Sequence, residues 1–356
     1  MSWEANVRRV VPYTPGEQPK LQDVIKLNTN ENPYPPAPGV ERILREFDIA
    51  RMRKYPDPNA QHLVDAIAAS YGVKPSQVFV GVGSDDVLSM AFLTFFAGDK
   101  PVLFPDVTYS FYDVWADVYR IPYAQLPLTE DLRIDPDDYK RENGGIIFPN
   151  PNAPTGVLES LDTIGEIVRA NPDSVVIVDE AYIDFGGVSA LSLLDEYENL
   201  LIVQTFSKSR SMAGVRIGFA IGSEKLIGFM NDVKFSVNSY TMNQLTIECG
   251  AAALADPAYF RETTQRICET REWAKQQLTA LGFTFPDSRS NFIFARHSTA
   301  DAGALFAALK ARHIFVRYWN KPRIDQYLRI TIGTPDEMEA LFKALAEILQ
   351  EMGDRQ

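Results

Sequence analysis

The chain has 356 residues, 46% of them hydrophobic and 23% charged, and its net charge is −12 at pH 7. Such a length fits two domains, or one large domain with a smaller companion, and the balance is that of a globular chain rather than a disordered one. The acidic surplus comes without any dense run of lysine or arginine, which argues against nucleic acid or an anionic membrane surface as the main partner. Two cysteines, Cys249 and Cys268, are too few for a disulfide framework and suit a reducing cytoplasm. Three histidines leave little material for a zinc site or a serine–histidine triad.

The first residues, MSWEANVRRVVPYTPGE, are charged and lack a continuous apolar core, so no secretory leader is expected. Prolines crowd the text before residue 40 (Pro12, Pro15, Pro19, Pro33, Pro35, Pro36, Pro38) and predict an extended arm of the kind that commonly crosses to a neighbour. From there short apolar runs rich in β-branched residues alternate with longer amphipathic ones, the pattern of an α/β domain with a mostly parallel sheet. Strands are predicted over 77–80, 101–104, 145–148, 175–178, 200–204 and 216–221. The segment VLSMAFLTFFAG after Asp86 falls short of the ~18 residues a membrane span needs and reads as a buried helix. The last third predicts a compact α+β unit. It has a long helix over 259–280, strands over 291–295, 314–318 and 327–332, and helices over 301–312 and 336–352. The expected division is an arm over 1–39, a large domain over 40–247 and a small domain over 248–356.

In an open parallel sheet, ligands bind beyond the carboxyl ends of the strands, so the loops there carry the functional question. GVGSDD (81–86) runs straight into the apolar helix. Its glycines permit close backbone approach, Ser84 supplies a hydroxyl, and the helix start offers free N–H groups for a phosphate. A dinucleotide fingerprint is excluded, because Asp86 stands where its third glycine belongs. FPDVTYSFY (104–112) presents Tyr109, able to cover a planar ring, and PNPNAPTG (149–156) presents Asn152 in a turn-rich loop. DEAYIDF (179–185) places Asp179 directly after a β-branched run, where a buried carboxylate wants a cationic partner, with the Tyr182 phenol close behind. QTFSKSRSMAGVR (204–216) sets Lys208 among small hydroxyl residues that leave room for a covalent adduct, and Arg216 adds a planar fork of donors. Taken singly, each residue also fits a plain turn, cap or core role. Jointly they supply an amine nucleophile, a buried carboxylate, a covering aromatic, a phenol, an amide and a serine–arginine cradle, which is the inventory that pyridoxal 5'-phosphate requires.

At these motifs the chain resembles the fold-type I pyridoxal-phosphate enzymes of the class I/II aminotransferase superfamily, and most closely their histidinol-phosphate branch. The resemblance covers nearly the whole length and rests on LNTNENPYPP (27–36), KYPDP (54–58), GSDD (83–86), PNPNAPTG, DEAYIDF, TFSKSRSMAGVRIGF (205–219), SNFIFAR (290–296) and LRITIGT (328–334). It implies a large domain with a mostly parallel sheet flanked by helices plus a smaller α+β domain. By position it makes Lys208 the Schiff-base lysine and general acid–base, and Asp179 the partner of the cofactor's ring nitrogen. Asn152 and Tyr182 become contacts to the ring hydroxyl, and Tyr109 the stacking ring. Ser84, Asp85, Ser207 and Arg216 match phosphate-binding positions. Tyr55 matches a tyrosine that reaches the cofactor phosphate of the neighbouring subunit, which implies a homodimer. Tyr13, Asn30, Arg317 and Arg329 match substrate-side positions, with Arg329 facing an anionic group. The implied substrates are histidinol phosphate and 2-oxoglutarate, with aromatic amino acids, or decarboxylation of a phosphorylated amino acid, as alternatives. Two departures stand out: Ala153 follows Asn152 where a second asparagine is usual, and SRSMAG follows Lys208 where the family tends to an apolar–aromatic pair, Arg210 being the unexpected residue.

Overall fold

The computed structural model describes residues 2–353 except residue 22. In chain order the elements are β1 (Ile25–Lys26), α1 (Pro38–Glu46), α2 (Gln61–Tyr71), β2 (Val78–Gly81), α3 (Ser84–Phe95), β3 (Val102–Pro105), α4 (Tyr112–Tyr119), β4 (Tyr123–Leu126), β5 (Gly145–Pro149), α5 (Leu161–Ala170), β6 (Val176–Asp179), β7 (Leu200–Thr205) and β8 (Gly218–Gly222). There follow α6 (Glu224–Val237), α7 (Gln244–Leu254), α8 (Pro257–Ala280), β9 (Phe283–Thr284), β10 (Phe292–His297), α9 (Ala302–Ala311), β11 (Ile314–Phe315), β12 (Arg317–Tyr318), β13 (Leu328–Thr331) and α10 (Pro335–Gly353).

A seven-stranded sheet in the order β2-β8-β7-β6-β5-β3-β4 forms the centre. All its strands run one way except β8, which is antiparallel to both β7 and β2. The inner strands β5, β6 and β7 are buried at every residue, as expected where helices cover both faces. Helix boundaries follow their caps. Ser160 accepts the Thr163 N–H at the start of α5, and Asp256 with Pro257 opens α8. A second, four-stranded sheet in the order β12-β13-β10-β9 packs against α8, α9 and α10 around Phe292, Leu305, Ile330 and Leu345. Among the described residues no helix is long and apolar enough to cross a membrane.

Four departures from the sequence reading have physical reasons. The strand expected from residue 216 begins at Gly218, because Arg216 sits at φ +59°, a left-handed conformation that cannot continue a strand. The run 314–318 splits in two. Its first half pairs in parallel with β1 and its second half joins the four-stranded sheet. The proline-rich arm therefore carries a short strand of its own. Strand β4 escaped notice because YAQL lies at the sheet edge, with Tyr123 and Gln125 exposed, and carries no β-branched residue.

Candidate active site

The carboxyl edge of the central sheet and the small-domain strands enclose a cavity of about 270 Å³. Every candidate cofactor or substrate residue named from the sequence lines it except Asn152 and Tyr55. The reversed direction of β8 explains how Arg216 comes to be there. Arg216 precedes an antiparallel strand and so lies at the same edge as residues that follow the parallel ones.

Asp179 ends β6 opposite Val203 of β7. Its carboxylate accepts the Tyr112 hydroxyl at 2.9 Å and the Ala181 N–H at 3.3 Å. Among the described residues no cation lies within 4 Å of it, and burial pushes its pKa from an ordinary 3.8 up to about 6 despite these two donors. Lys208, beyond β7, donates from Nζ to the Thr29 carbonyl at 3.1 Å and lies 5.7 Å from the centroid of the Tyr182 ring. The Tyr182 hydroxyl in turn accepts from Asn30 Nδ2 at 2.9 Å. Tyr112 was not singled out in the sequence; its position three residues after Tyr109, at the start of a helix, was the available signal.

The first turn of α3 is set up for an anion. Its N-cap, Gly83 at φ +87°, offers no side chain to cap the helix N–H groups. A Cβ on Gly83 would come within 2.4 Å of the Arg216 guanidinium, and one on Gly218 within 2.2 Å of the Ser84 nitrogen, so both glycines allow these groups to converge. Asp85 bridges them. Its carboxylate accepts the Tyr109 hydroxyl at 2.8 Å and lies 3.4 Å from Arg216 Nη2. Ser207 lines the same corner and shares a hydrogen bond with Thr205 at 3.0 Å.

Two arginines line the same cavity from the four-stranded sheet. Arg317 and Arg329 are cross-strand neighbours, and their guanidinium groups lie 5.2 and 5.1 Å from the centroid of the Trp319 ring. Arg317 donates to the carbonyls of Thr14 and Pro15, and Arg329 to that of Asn28. Neither has a carboxylate within 4 Å among the described residues. Arg329 Nε is buried without a partner among the described residues, and burial is the main cause holding the group below its ordinary pKa, with Arg317 adding to it. Like charges side by side, with an unpartnered buried donor, are an arrangement that an anion would satisfy. Tyr13 stacks on Phe111 at 4.2 Å and closes the cavity from the arm. The hairpin loop between β12 and β13 is fastened to the large domain by Arg323, which pairs with Asp106 and donates to the Leu128 carbonyl at 2.8 Å.

Two residues fall outside this convergence. The Asn152 amide is buried behind the wall, its Nδ2 bonded to the Val107 carbonyl at 2.9 Å and to Thr155 Oγ1 at 3.1 Å. Tyr55 is 82% exposed, its ring tilted against that of Tyr240 at 4.8 Å.

A parallel sheet closed by one reversed strand, a lysine and a buried carboxylate on adjacent strand ends, and an arginine at a glycine-lined helix start define an aminotransferase class. The chain belongs to the class I and II aminotransferase family, whose profile matches residues 22–345. It is 52% identical over 350 residues to histidinol-phosphate aminotransferase 2 of Dechloromonas aromatica, covering 97% of this chain and 98% of that one. It is 49% identical to histidinol-phosphate aminotransferase of Lactococcus lactis subsp. cremoris, covering 98% of both. Among solved structures, histidinol-phosphate aminotransferase from Sinorhizobium meliloti, in complex with pyridoxal-5'-phosphate, superposes with a TM-score of 0.84 at 24% identity, covering 92% of this chain and 91% of that one. L-threonine-O-3-phosphate decarboxylase from Porphyromonas gingivalis shares the fold with a TM-score of 0.77 at 22% identity, covering 92% of this chain and 100% of that one.

Proposed function

We propose that the chain uses pyridoxal 5'-phosphate to move the amino group of histidinol phosphate to 2-oxoglutarate, giving imidazole acetol phosphate and glutamate in histidine biosynthesis. The observation that carries this reading is Asp179, buried without a cationic partner among the described residues and lining the same cavity as Lys208. The residues fit the group: a protonated ring nitrogen would supply the charge that Asp179 lacks, and the uncapped start of α3 with Arg216 suits its phosphate. When bound, pyridoxal 5'-phosphate supplies an electron sink for negative charge developing at the donor's Cα.

The chain's own residues then divide the work. Asp179 keeps the ring nitrogen protonated, and Tyr112 orients its carboxylate. Lys208 Nζ would take the proton from the donor's Cα and deliver it to the cofactor's aldehyde carbon, as a general acid–base. Arg216, the hydroxyls of Ser84 and Ser207 and the N–H of Asp85 hold the phosphate. Asp85 acts through its backbone, since its carboxylate only accepts. Tyr109 covers the ring, and Tyr182 and Asn152 serve the ring hydroxyl side, Asn152 after its amide turns from Val107. Arg317 and Arg329 hold the donor's anionic end, with Tyr13 and Asn30 beside it.

The chain works as a cytoplasmic homodimer, with Tyr55 reaching the neighbouring site. Its exposure beside Ile49, Met52 and Tyr240, all exposed apolar side chains, supports that placement. The working division is an arm over 1–39, a large domain over 40–247 and a small domain over 248–356. The test is a steady-state panel of amino donors with 2-oxoglutarate, following glutamate. Histidinol phosphate should give the highest kcat/KM. A faster aromatic donor would move the assignment to aromatic amino acids, and carbon dioxide release independent of 2-oxoglutarate would move it to a decarboxylase.

A further inference from the structure

Arg210 breaks the pattern expected after the lysine, and the structure shows what surrounds it. Ser209, between Lys208 and Arg210, is buried and donates its hydroxyl to Asp184 Oδ2. Asp184 lies in the 3-10 turn that follows Tyr182, and therefore on the same loop as Asp179. The Arg210 guanidinium stacks 4.1 Å over the Phe260 ring in the first turn of α8 and 5.3 Å from Phe206. No carboxylate lies within 4 Å of it among the described residues. Its charge nevertheless acts on Asp184. Burial raises the Asp184 pKa, while the Ser209 hydrogen bond and then Arg210 oppose the rise. The backbone of the lysine turn is held as well: Asn32 Nδ2 donates to the carbonyls of Lys208 and Ser209 at 3.0 and 3.2 Å.

The mechanical problem these contacts address is simple. Strands β6 and β7 hold Asp179 and Lys208 in register only as far as their ladder extends, and the Lys208 turn lies beyond it. A hydroxyl bonded to a carboxylate is a short, strong tie across such a gap. A carboxylate drawn into a partly buried position needs positive charge nearby. Arginine suits that role against an aromatic face, being planar and weakly hydrated.

We infer that Asp184, Ser209 and Arg210 act together as positioning residues for Lys208, tying the lysine turn to the loop that carries Asp179 and so fixing the amine opposite that carboxylate. The inference rests on the proposed role of Lys208. It is tested on the holoenzyme and on cofactor-free protein with Ser209→Ala, Asp184→Asn, Arg210→Ala and the conservative Ser209→Thr. Ser209→Ala, Asp184→Asn and Arg210→Ala should each lower kcat about 10- to 100-fold, the scale of a displaced reacting group, with the donor KM within about two-fold of wild type. On mixing pyridoxal 5'-phosphate with cofactor-free protein, the visible band of the bound cofactor should appear more slowly by a similar factor. Ser209→Thr should restore both. An unchanged kcat or an unchanged capture rate in both Ser209→Ala and Asp184→Asn would overturn the inference, as would a lowered melting temperature with kcat per bound cofactor intact. Wild-type protein that captures no cofactor would instead refute the function proposed above.

Discussion

Asp179→Asn offers the sharpest physical test, because it should stabilise the cofactor-free protein while impairing its function. Burial is the main cause of the raised Asp179 pKa, from 3.8 to about 6. The folded chain therefore holds this proton more tightly than the unfolded chain does. Stability is fully present below about pH 4, declines as the pH rises, and levels off above about pH 6. At 1.36 kcal/mol per pKa unit, the full loss is about 3 kcal/mol. An asparagine keeps the shape and still accepts the Tyr112 hydroxyl, but has nothing to ionise. Glu180, which burial pushes up to about 7, contributes a decline of the same sign in both proteins and cancels in the comparison. Urea unfolding of cofactor-free protein at about pH 4.5 and about pH 8 should show the wild type losing about 2 kcal/mol more than the variant between the two. Adding pyridoxal 5'-phosphate at the higher pH should stabilise the wild type and have much less effect on the variant. Parallel stability curves for the two proteins would refute a buried, cation-seeking Asp179.

Two further outcomes are expected. Gly218→Ala would drive a Cβ to within 2.2 Å of the Ser84 nitrogen and 2.3 Å of the Gly83 carbonyl carbon, and backbone cannot move aside cheaply. Thermal melts should report a loss of about 1–3 kcal/mol, and dialysis should report cofactor retention weakened by at least about ten-fold; retention equal to wild type would mean that α3 does not seat the phosphate. Tyr55→Phe removes a single hydroxyl and should weaken cofactor binding by about 10- to 100-fold, the worth of a hydrogen bond to a charged group. Sedimentation should find a dimer in both proteins, and unchanged binding would leave Tyr55 as an ordinary interface ring.

The sequence made the strand-end loops readable because each apolar run stops abruptly at residues that a buried strand would not tolerate, such as the carboxylate of Asp179 after Val176–Val178. What it hid was how one loop meets another. The bond from Tyr112 to Asp179 joins a helix start to a strand end 67 positions away, and that from Ser209 to Asp184 joins two turns with no shared periodicity. Local pattern carries no trace of such pairs. Side-chain direction was equally illegible. Asn152 sits in the expected loop, yet its amide faces Val107, because a buried amide bonds to the nearest free carbonyl. Arg216 shows the opposite case: its place after Lys208 was plain, while its left-handed backbone and the reversed strand behind it were not.

That reversed strand has a consequence for how the molecule can vary. Had β8 run with its neighbours, Arg216 would have emerged at the far rim, a strand length of roughly 17 Å from the lysine. Because β8 folds back, the single connection from β7 brings both groups to one edge, so an insertion or deletion between Lys208 and Arg216 would displace one relative to the other. Side chains in this segment can be exchanged one at a time, whereas any change in its length alters the spacing of the two groups.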